Sequence, residues 1–327
     1  MNLSECIAGR QNELDLISAA TLAPSSHNTQ PWRFKLNDRG FDLIADRTRA
    51  LPINDPDDRE LTISCGCALF NSRVAAAHTG LRVDVSLLPQ QNDPDLLARI
   101  ELLGSGAVPH ELSRLHSVLA LRRSYRQAFA PVEVTPTMKD SLVDAAEYDQ
   151  AWIKFLNRTD ERHELAELVA KGDSLQWDNA AWRKELSEWL RPRKGGDGLN
   201  PPGLSSSIGR QLIKRLNMGA SVASHDRRLI EDAPAIAVIG TNGRHQPVDW
   251  LVAGMALQHV LLAAAFHGLQ ASYLNQPVQV ADLRPRLKQV IATEGEPQVV
   301  LRLGMASSSG VRTVRRTLES VLDCSAS

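Results

Sequence analysis

This 327-residue chain has no excess of charge of either sign, with 37 lysines and arginines against 38 aspartates and glutamates. A basic face able to hold a polyanion is not written into that balance, which argues against nucleic acid as a partner. Cysteine is scarce as well. Four residues are too few and too scattered for a disulfide framework. Cys65 and Cys67 lie in an apolar run with no neighbouring His or Cys to complete a metal set, and read as small core residues. No zinc-ligand spacing, G-x-S-x-G elbow or phosphate-cradling glycine loop occurs, so metalloenzyme, hydrolase and nucleotidase readings have no footing. The opening MNLSECIAGRQNE is too polar for a secretory leader. A cytoplasmic globular protein of one large domain or two is expected.

One apolar run, residues 250–269, has about the length that crosses a bilayer. Gln258, His259 and His267 interrupt it, Asp249 precedes it, and its many Ala and Gly residues suit close helix packing. It reads as a central buried helix, with no membrane as partner.

The most informative stretch is residues 23–34, APSSHNTQPWRF. Turn formers (Pro24, Ser25, Ser26, Asn28, Pro31) and the amides of Asn28 and Gln30 crowd between a helix-patterned run and a strand-like one. A loop so rich in donors and acceptors suits a polar heterocycle, although an ordinary polar connection has the same composition. Around it, residues 14–22 read as a helix, 33–36 and 41–45 as a hairpin, and 60–81 as a helix stopped by Gly80. Residues 83–88 and 97–103 read as strands.

Part of this pattern returns. Residues 66–81 align without gaps on residues 254–269, with eight of sixteen positions identical at an offset of 188. Each copy is followed by a strand-like stretch ending in Leu-Gly, at Gly104 and at Gly304. The order of elements favours an internal duplication. The expected halves are residues 1–110 and 111–327. In the second half, residues 142–155 (LVDAAEYDQAWIKF) take the place of the amide-rich loop. That half also carries about seventy extra residues, 157–226, with Trp177, Trp182 and Trp189. Long insertions in compact domains are usually functional, often lids.

PSSHNTQPW resembles the PSS-x-N-x-QPW loop of the FMN-dependent nitroreductases, and Arg122-Arg-Ser-Tyr-Arg126 is similar to their R-x-S-x-R/K motif. Ordinary members are homodimers in which each of two FMN sites draws on both subunits. One subunit gives the R-x-S-x-R end, the loop after the central helix and a basic C-terminal segment, and the other gives the PSS-x-N loop. Here those pieces lie in different halves of one chain, as in the single-chain pseudo-dimers of the Acg-like branch, which also carry a lid over the flavin.

The resemblance implies an α+β sandwich, a nitroreductase-like fold duplicated within one chain, with antiparallel-containing sheets flanked by helices. It implies one FMN, held by Pro24, Ser25, Ser26, Asn28 and Gln30 from the first half and Arg122, Ser124 and Arg126 from the second. Arg122 and Arg126 are expected to share a face at a helix start. Leu274, Asn275 and Gln276 are expected beside the flavin, mainly through backbone N–H groups. Arg315 and Arg316, with Arg312, are expected at the phosphate, which guanidinium forks hold well. Trp32 reads as a core wall and His27 as loop filler. No catalytic acid or base and no metal is required, because the flavin carries the hydride. Two functions stay open. One is an NAD(P)H-dependent oxidoreductase acting on a small-molecule electron acceptor; the other is a flavin-storing protein with a closed lid and little turnover. A monomeric pseudo-dimer is expected, with further dimerisation left open.

Overall fold

The computed structural model describes residues 5, 7–200, 205–308 and 313–324. The helical spacing at the start of the chain becomes α1 (Gln11–Ala20), with Leu16, Ile17 and Ala20 fully buried. β1 (Trp32–Asn37) and β2 (Gly40–Ala45) form an antiparallel hairpin in which Asn37 faces Gly40. α2 (Arg59–His78), β3 (Leu81–Leu87) and β4 (Leu96–Ser105) complete the first set, each within about a turn of its expected bounds. α3 (His110–Leu115) leads through an extended stretch to α4 (Pro136–Tyr148) and β5 (Trp152–Phe155). The extra residues then form α5 (Thr159–Asp178), α6 (Ala180–Trp189), α7 (Ser207–Arg215) and α8 (Gly219–Glu231). The chain ends with β6 (Ala235–Thr241), α9 (Pro247–Phe266), β7 (Leu269–Tyr273), α10 (Gln276–Gln279), α11 (Arg284–Val290), β8 (Glu296–Met305) and β9 (Leu322–Asp323).

The fold is α+β, built on two sheets. Their strand orders are β3-β4-β2-β1-β9 and β7-β8-β6-β5, so the first four strands of each set are joined in the same order. Every pair is antiparallel except β1 with β9. The sequence of each strand reflects what covers it. β3 (LRVDVSL) alternates buried or half-buried residues with exposed ones because one face is solvated. β6 (AIAVIGT) is buried throughout: Ala235, Ala237 and Ile239 enter the core around α9, while Ile236 and Val238 enter a second core under α5 and α11. β9 carries the C-terminal chain onto the first sheet, where Phe34 faces Leu322, so that sheet does not draw on residues 1–110 alone.

α2 and α9 cross at the centre. α9 is capped at its start by Pro247 in the first turn and by Asp249, which accepts the Gln246 N–H at 2.9 Å. Most of its apolar surface is covered by protein, as expected of a core helix. Gly80 (φ +71°) and Gly268 (φ +77°) follow the two helices in the left-handed conformation that ends a helix without a Cβ clash. At the crossing, a Cβ on Gly66 would lie 2.4 Å from the Leu251 carbonyl oxygen, and one on Gly254 would lie 2.1 Å from that of Ile63. Each of these two pairs, 63 with 251 and 66 with 254, is separated by the 188-residue offset of the sequence repeat. The contact is therefore reciprocal, as at a twofold axis. Gln258 Nε2 donates to Asn71 Oδ1 at 2.7 Å beside it, both side chains fully buried.

Two expectations are corrected. Residues 122–126 are extended and not the start of a helix, with Ser124 bridged in parallel to Ala271 of β7. Arg122 and Arg126 still share a side, because alternate residues of an extended chain do so as well. Cys65 and Cys67 are free and buried, whereas Cys324 is disulfide-bonded, which the sparse cysteines had not suggested.

Candidate functional site

The amide-rich loop has an unusual backbone. His27 (φ 49°), Asn28 (φ 55°) and Gln30 (φ 52°) all lie in the left-handed region, where each non-glycine residue costs on the order of 1–3 kcal/mol and persists only when its surroundings over-determine it. Several hydrogen bonds do so. Ser25 Oγ accepts the Gln30 N–H at 2.9 Å. The fully buried Gln30 side chain donates to the Gly196 carbonyl at 2.8 Å and accepts the Arg316 N–H at 2.8 Å. Asn28 Nδ2 reaches the carbonyls of Gly198 (3.3 Å) and Val314 (3.2 Å), while Arg315 Nη1 donates to Asn28 Oδ1 at 3.0 Å. Arg316 Nη1 donates to the Gln30 carbonyl at 3.1 Å and faces Asp46 at 3.6 Å. The two amides and two arginines thus tie the loop to residues 196–198 and to the C-terminal chain. Arg312 lies outside the described residues.

Beside the loop is a cavity of about 420 Å³. The loop contributes Pro24, Ser25, Ser26 and His27, and α2 contributes Glu60, Ser64 and Cys67. Farther along the chain come Ser124, Arg126, Tyr273, Asn275 and Gln276. Asp173 and Trp177 of α5 and Trp182 of α6 close the far side. A second recess of about 280 Å³ shares Ser124, Arg126 and Tyr273 and continues to Arg302, His225 and Asp226. The cavity therefore takes residues from the loop at 24–27, from α2, from residues 124–126 and 273–276, and from α5, α6 and α8.

Seven of the thirteen expected residues line this cavity: Pro24, Ser25, Ser26, Ser124, Arg126, Asn275 and Gln276. Asn28, Gln30, Arg315 and Arg316 stand behind the loop in the bracing bonds just described. Arg122 is buried, and its Nη2 donates to the Leu22 carbonyl at 2.7 Å. Leu274 turns its side chain into the core under α5, and its N–H is committed to the Val300 carbonyl at 2.9 Å, so it has no backbone donor to offer. Asn275 and Gln276 act through side chains. Asn275 Nδ2 donates to Glu60 Oε1 (3.2 Å), and Gln276 Nε2 donates to Asp173 and Asp226, both at 3.0 Å.

The charges in the cavity are uneven. Glu60 is surrounded by donors: Ser26 Oγ at 2.6 Å, Asn275, and Gln279 Nε2 at 3.0 Å. Arg126 makes no hydrogen bond or ion pair with any described residue, and burial lowers its pKa. An enclosed cation with no partner among the described residues, on the wall of a cavity, is a place for an anion. Burial likewise raises the Tyr273 phenol, whose buried hydroxyl has no partner.

His27 lines the cavity and is not mere loop filler. Its Nδ1 is buried without a partner, and burial, opposed by Glu60 and assisted by Arg126, lowers its pKa from 6.5 to about 4. The unfolded chain then binds a proton below pH 6.5 that the folded chain refuses until about 4, so His27 weakens the fold as pH falls through that window. His27→Asn keeps a side chain tolerant of the left-handed backbone. Its stability relative to the parent should rise steadily between pH 6.5 and 4 in denaturant titrations; a constant difference across that range would contradict the assignment.

No family model matches the chain. It is 28% identical over 314 residues to an uncharacterised Mycobacterium tuberculosis protein, Rv3127, covering 93% of this chain and 90% of the relative. To acg of the same organism, named as a candidate NAD(P)H nitroreductase, it is 28% identical over 292 residues, covering 89% of this chain and 88% of the relative. Among solved structures, the FMN-dependent nitroreductase NfnB from Mycobacterium smegmatis, in complex with NADPH, is 17% identical. Its TM-score is 0.43, over 66% of this chain and 100% of NfnB.

The chain is similar in sequence to the Acg-like nitroreductases.

Apart from His27, which lies within the amide-rich loop, the wall residues that sequence reading missed sit in no motif. Glu60 follows Arg59 in the first turn of α2, Tyr273 ends a strand, and Asp173 and Trp182 lie on the extra helices. The insertion's length drew attention to the region of both, and its three Trp residues to Trp182, while nothing marked Asp173 itself.

Proposed function

We propose that this chain is an FMN-holding oxidoreductase of the nitroreductase type, with one flavin in the 420 Å³ cavity between its halves. One observation carries the reading. Arg126, enclosed and unpartnered, faces a cavity whose other walls are the Pro24–Ser26 loop and the Asn275 region. Phosphate or an electron-rich ring edge would supply the anionic partner that no described residue provides. The residues present fit the group. The volume is within the range of cofactor pockets. Partnerless buried atoms, His27 Nδ1 and Tyr273 Oη, stand ready for a polar ligand. The bracing bonds at Asn28, Gln30, Arg315 and Arg316 would hold the loop in place. When bound, FMN would supply hydride transfer between NAD(P)H and a small acceptor, while the chain binds, orients and shields it.

A single site per chain rests on reading the two halves, residues 1–110 and 111–327, as a fused dimer in a monomeric pseudo-dimer that keeps one of its two sites and has lost the other. The matching strand orders and the reciprocal helix crossing support that reading. The loop's counterpart in the second half is a tight turn at residues 149–151. There Asp149 pairs with Arg73 (2.7 Å) and His259 (2.9 Å), so its carboxylate is committed to protein groups. Flavin assay of the purified protein should return one FMN per chain. Two would overturn the single-site reading, and a colourless protein that takes up no added FMN would overturn the proposal.

A flavin-storing protein is the second reading. The observation favouring it is that α5, α6 and α8 line one side of the cavity with Trp177, Trp182 and Val222, while Glu185 accepts the N–H groups of Ile53 and Asn54, both at 2.9 Å; a lid built from these helices would close over the flavin. Rapid bleaching on stopped-flow mixing with NADH or NADPH decides for the oxidoreductase, and no bleaching with either decides for storage.

A further inference from the structure

The far side of the cavity is built differently from the side that faces Arg126. Asp173 is only 2% exposed, yet its Oδ2 has no partner among the described residues, while Oδ1 accepts from Gln276 at 3.0 Å. Beside it on the cavity wall are Trp177 and Trp182, their rings edge to face at 5.6 Å. Trp182 is fixed by its Nε1, which donates to Asn54 Oδ1 at 2.9 Å. A buried carboxylate oxygen without a donor is costly, and the cost vanishes when a ligand supplies one. Aromatic walls select flat rings and favour cations near their faces.

We propose that this side is a subsite for a flat aromatic molecule bearing a cationic or N–H donor group, with Asp173 Oδ2 as its acceptor. The inference deepens the oxidoreductase reading, because such a molecule is the electron acceptor the cavity would choose. Its test reads binding and not turnover, so it fails or stands separately from the flavin assignment. An anionic aromatic of equal size would meet Asp173 as a like charge and be rejected.

The charged groups around Asp173 are Asp226 and His225 on α8, Glu60 on α2, and Arg126 and Arg302 toward the smaller recess. Burial, offset by the Gln276 hydrogen bond and reinforced by Asp226, pushes the Asp173 carboxyl up to about 7. It is therefore mostly protonated at pH 6 and mostly ionised at pH 8, so a cation gains affinity as pH rises.

The probes are benzamidine, a flat cation with N–H donors, benzamide, its neutral analogue, and benzoate, its anionic one. Each is titrated into the purified protein, and tryptophan fluorescence is followed. At pH 8 benzamidine should bind at least about tenfold more tightly than benzoate, the scale of one charge-assisted hydrogen bond. Its affinity should rise about tenfold from pH 6 to pH 8. Asp173→Asn should remove both the preference and the pH dependence, leaving benzamide nearly unchanged. Benzoate binding as tightly as benzamidine, an absent pH trend in the parent, or no binding of either probe at millimolar concentration would each overturn the proposal. The parent's pH series decides even if the variant folds poorly.

Discussion

Arg126→Met should weaken FMN binding by about 2–4 kcal/mol, roughly 30- to 1000-fold, without weakening the fold. The two halves of that expectation come from one fact: the guanidinium is enclosed and no described residue pairs with it. In the empty protein it is a desolvated cation with no compensation, so replacing it by an apolar side chain of similar length removes an unfavourable term. Thermal unfolding of the apo variant should match or exceed that of the parent. In the flavin complex, Arg126 is the enclosed cation through which the cofactor's charge would be held, and its loss leaves that charge facing Met. Arg122→Met is the contrasting case. Its Nη2 already serves the Leu22 carbonyl from a buried position, so its loss should lower the apo protein's unfolding temperature whether or not flavin is present. Flavin-fluorescence titration of both apo variants separates a binding residue from a bracing one. Undiminished FMN affinity in Arg126→Met would remove the observation on which the cofactor assignment rests.

The contrast shows what could and could not be read from the sequence. Local rules placed the hairpin, since a four-residue polar turn between alternating runs leaves few choices. They also placed α2 and α9, whose apolar length and terminal glycines need no distant information. The loop at residues 24–30 was legible as functional because its residue types are wasteful for a simple connection. Where its side chains point was not legible. Asn28 and Gln30 look like ligand donors by chemistry, yet their partners are carbonyls at residues 196, 198 and 314, far along the chain. Long-range partners are set by packing, and neither spacing nor propensity encodes them. The same holds for Asp173 and Trp182, which become wall residues only because α5 and α6 fold over a site that other segments build. The misplaced helix at residues 122–126 has a related cause: a neighbouring strand, β7, captures Ser124 and overrides the local tendency.

Gly254→Ala should destabilise the chain by about 3 kcal/mol or more, although alanine is the better helix former by about 1 kcal/mol. A Cβ there would lie 2.1 Å from the Ile63 carbonyl oxygen and 2.8 Å from Gly66 Cα. Both are backbone atoms and cannot rotate aside, so α2 and α9 must separate, loosening the largest core in the molecule. Gly66→Ala should act alike, because its Cβ would lie 2.4 Å from the Leu251 carbonyl and 3.0 Å from Gly254 Cα. The double variant should cost clearly less than the two single costs added. Once the helices have parted for one methyl group, the second enters space already opened, and neighbouring sites are not additive. Urea titrations of the four proteins test this directly. Stabilisation by Gly254→Ala would show that the helices do not meet backbone to backbone. Full additivity would show that the two glycines relieve separate clashes, which would remove the reciprocal contact that supports the fused-dimer reading and, with it, the argument for one flavin shared between the halves.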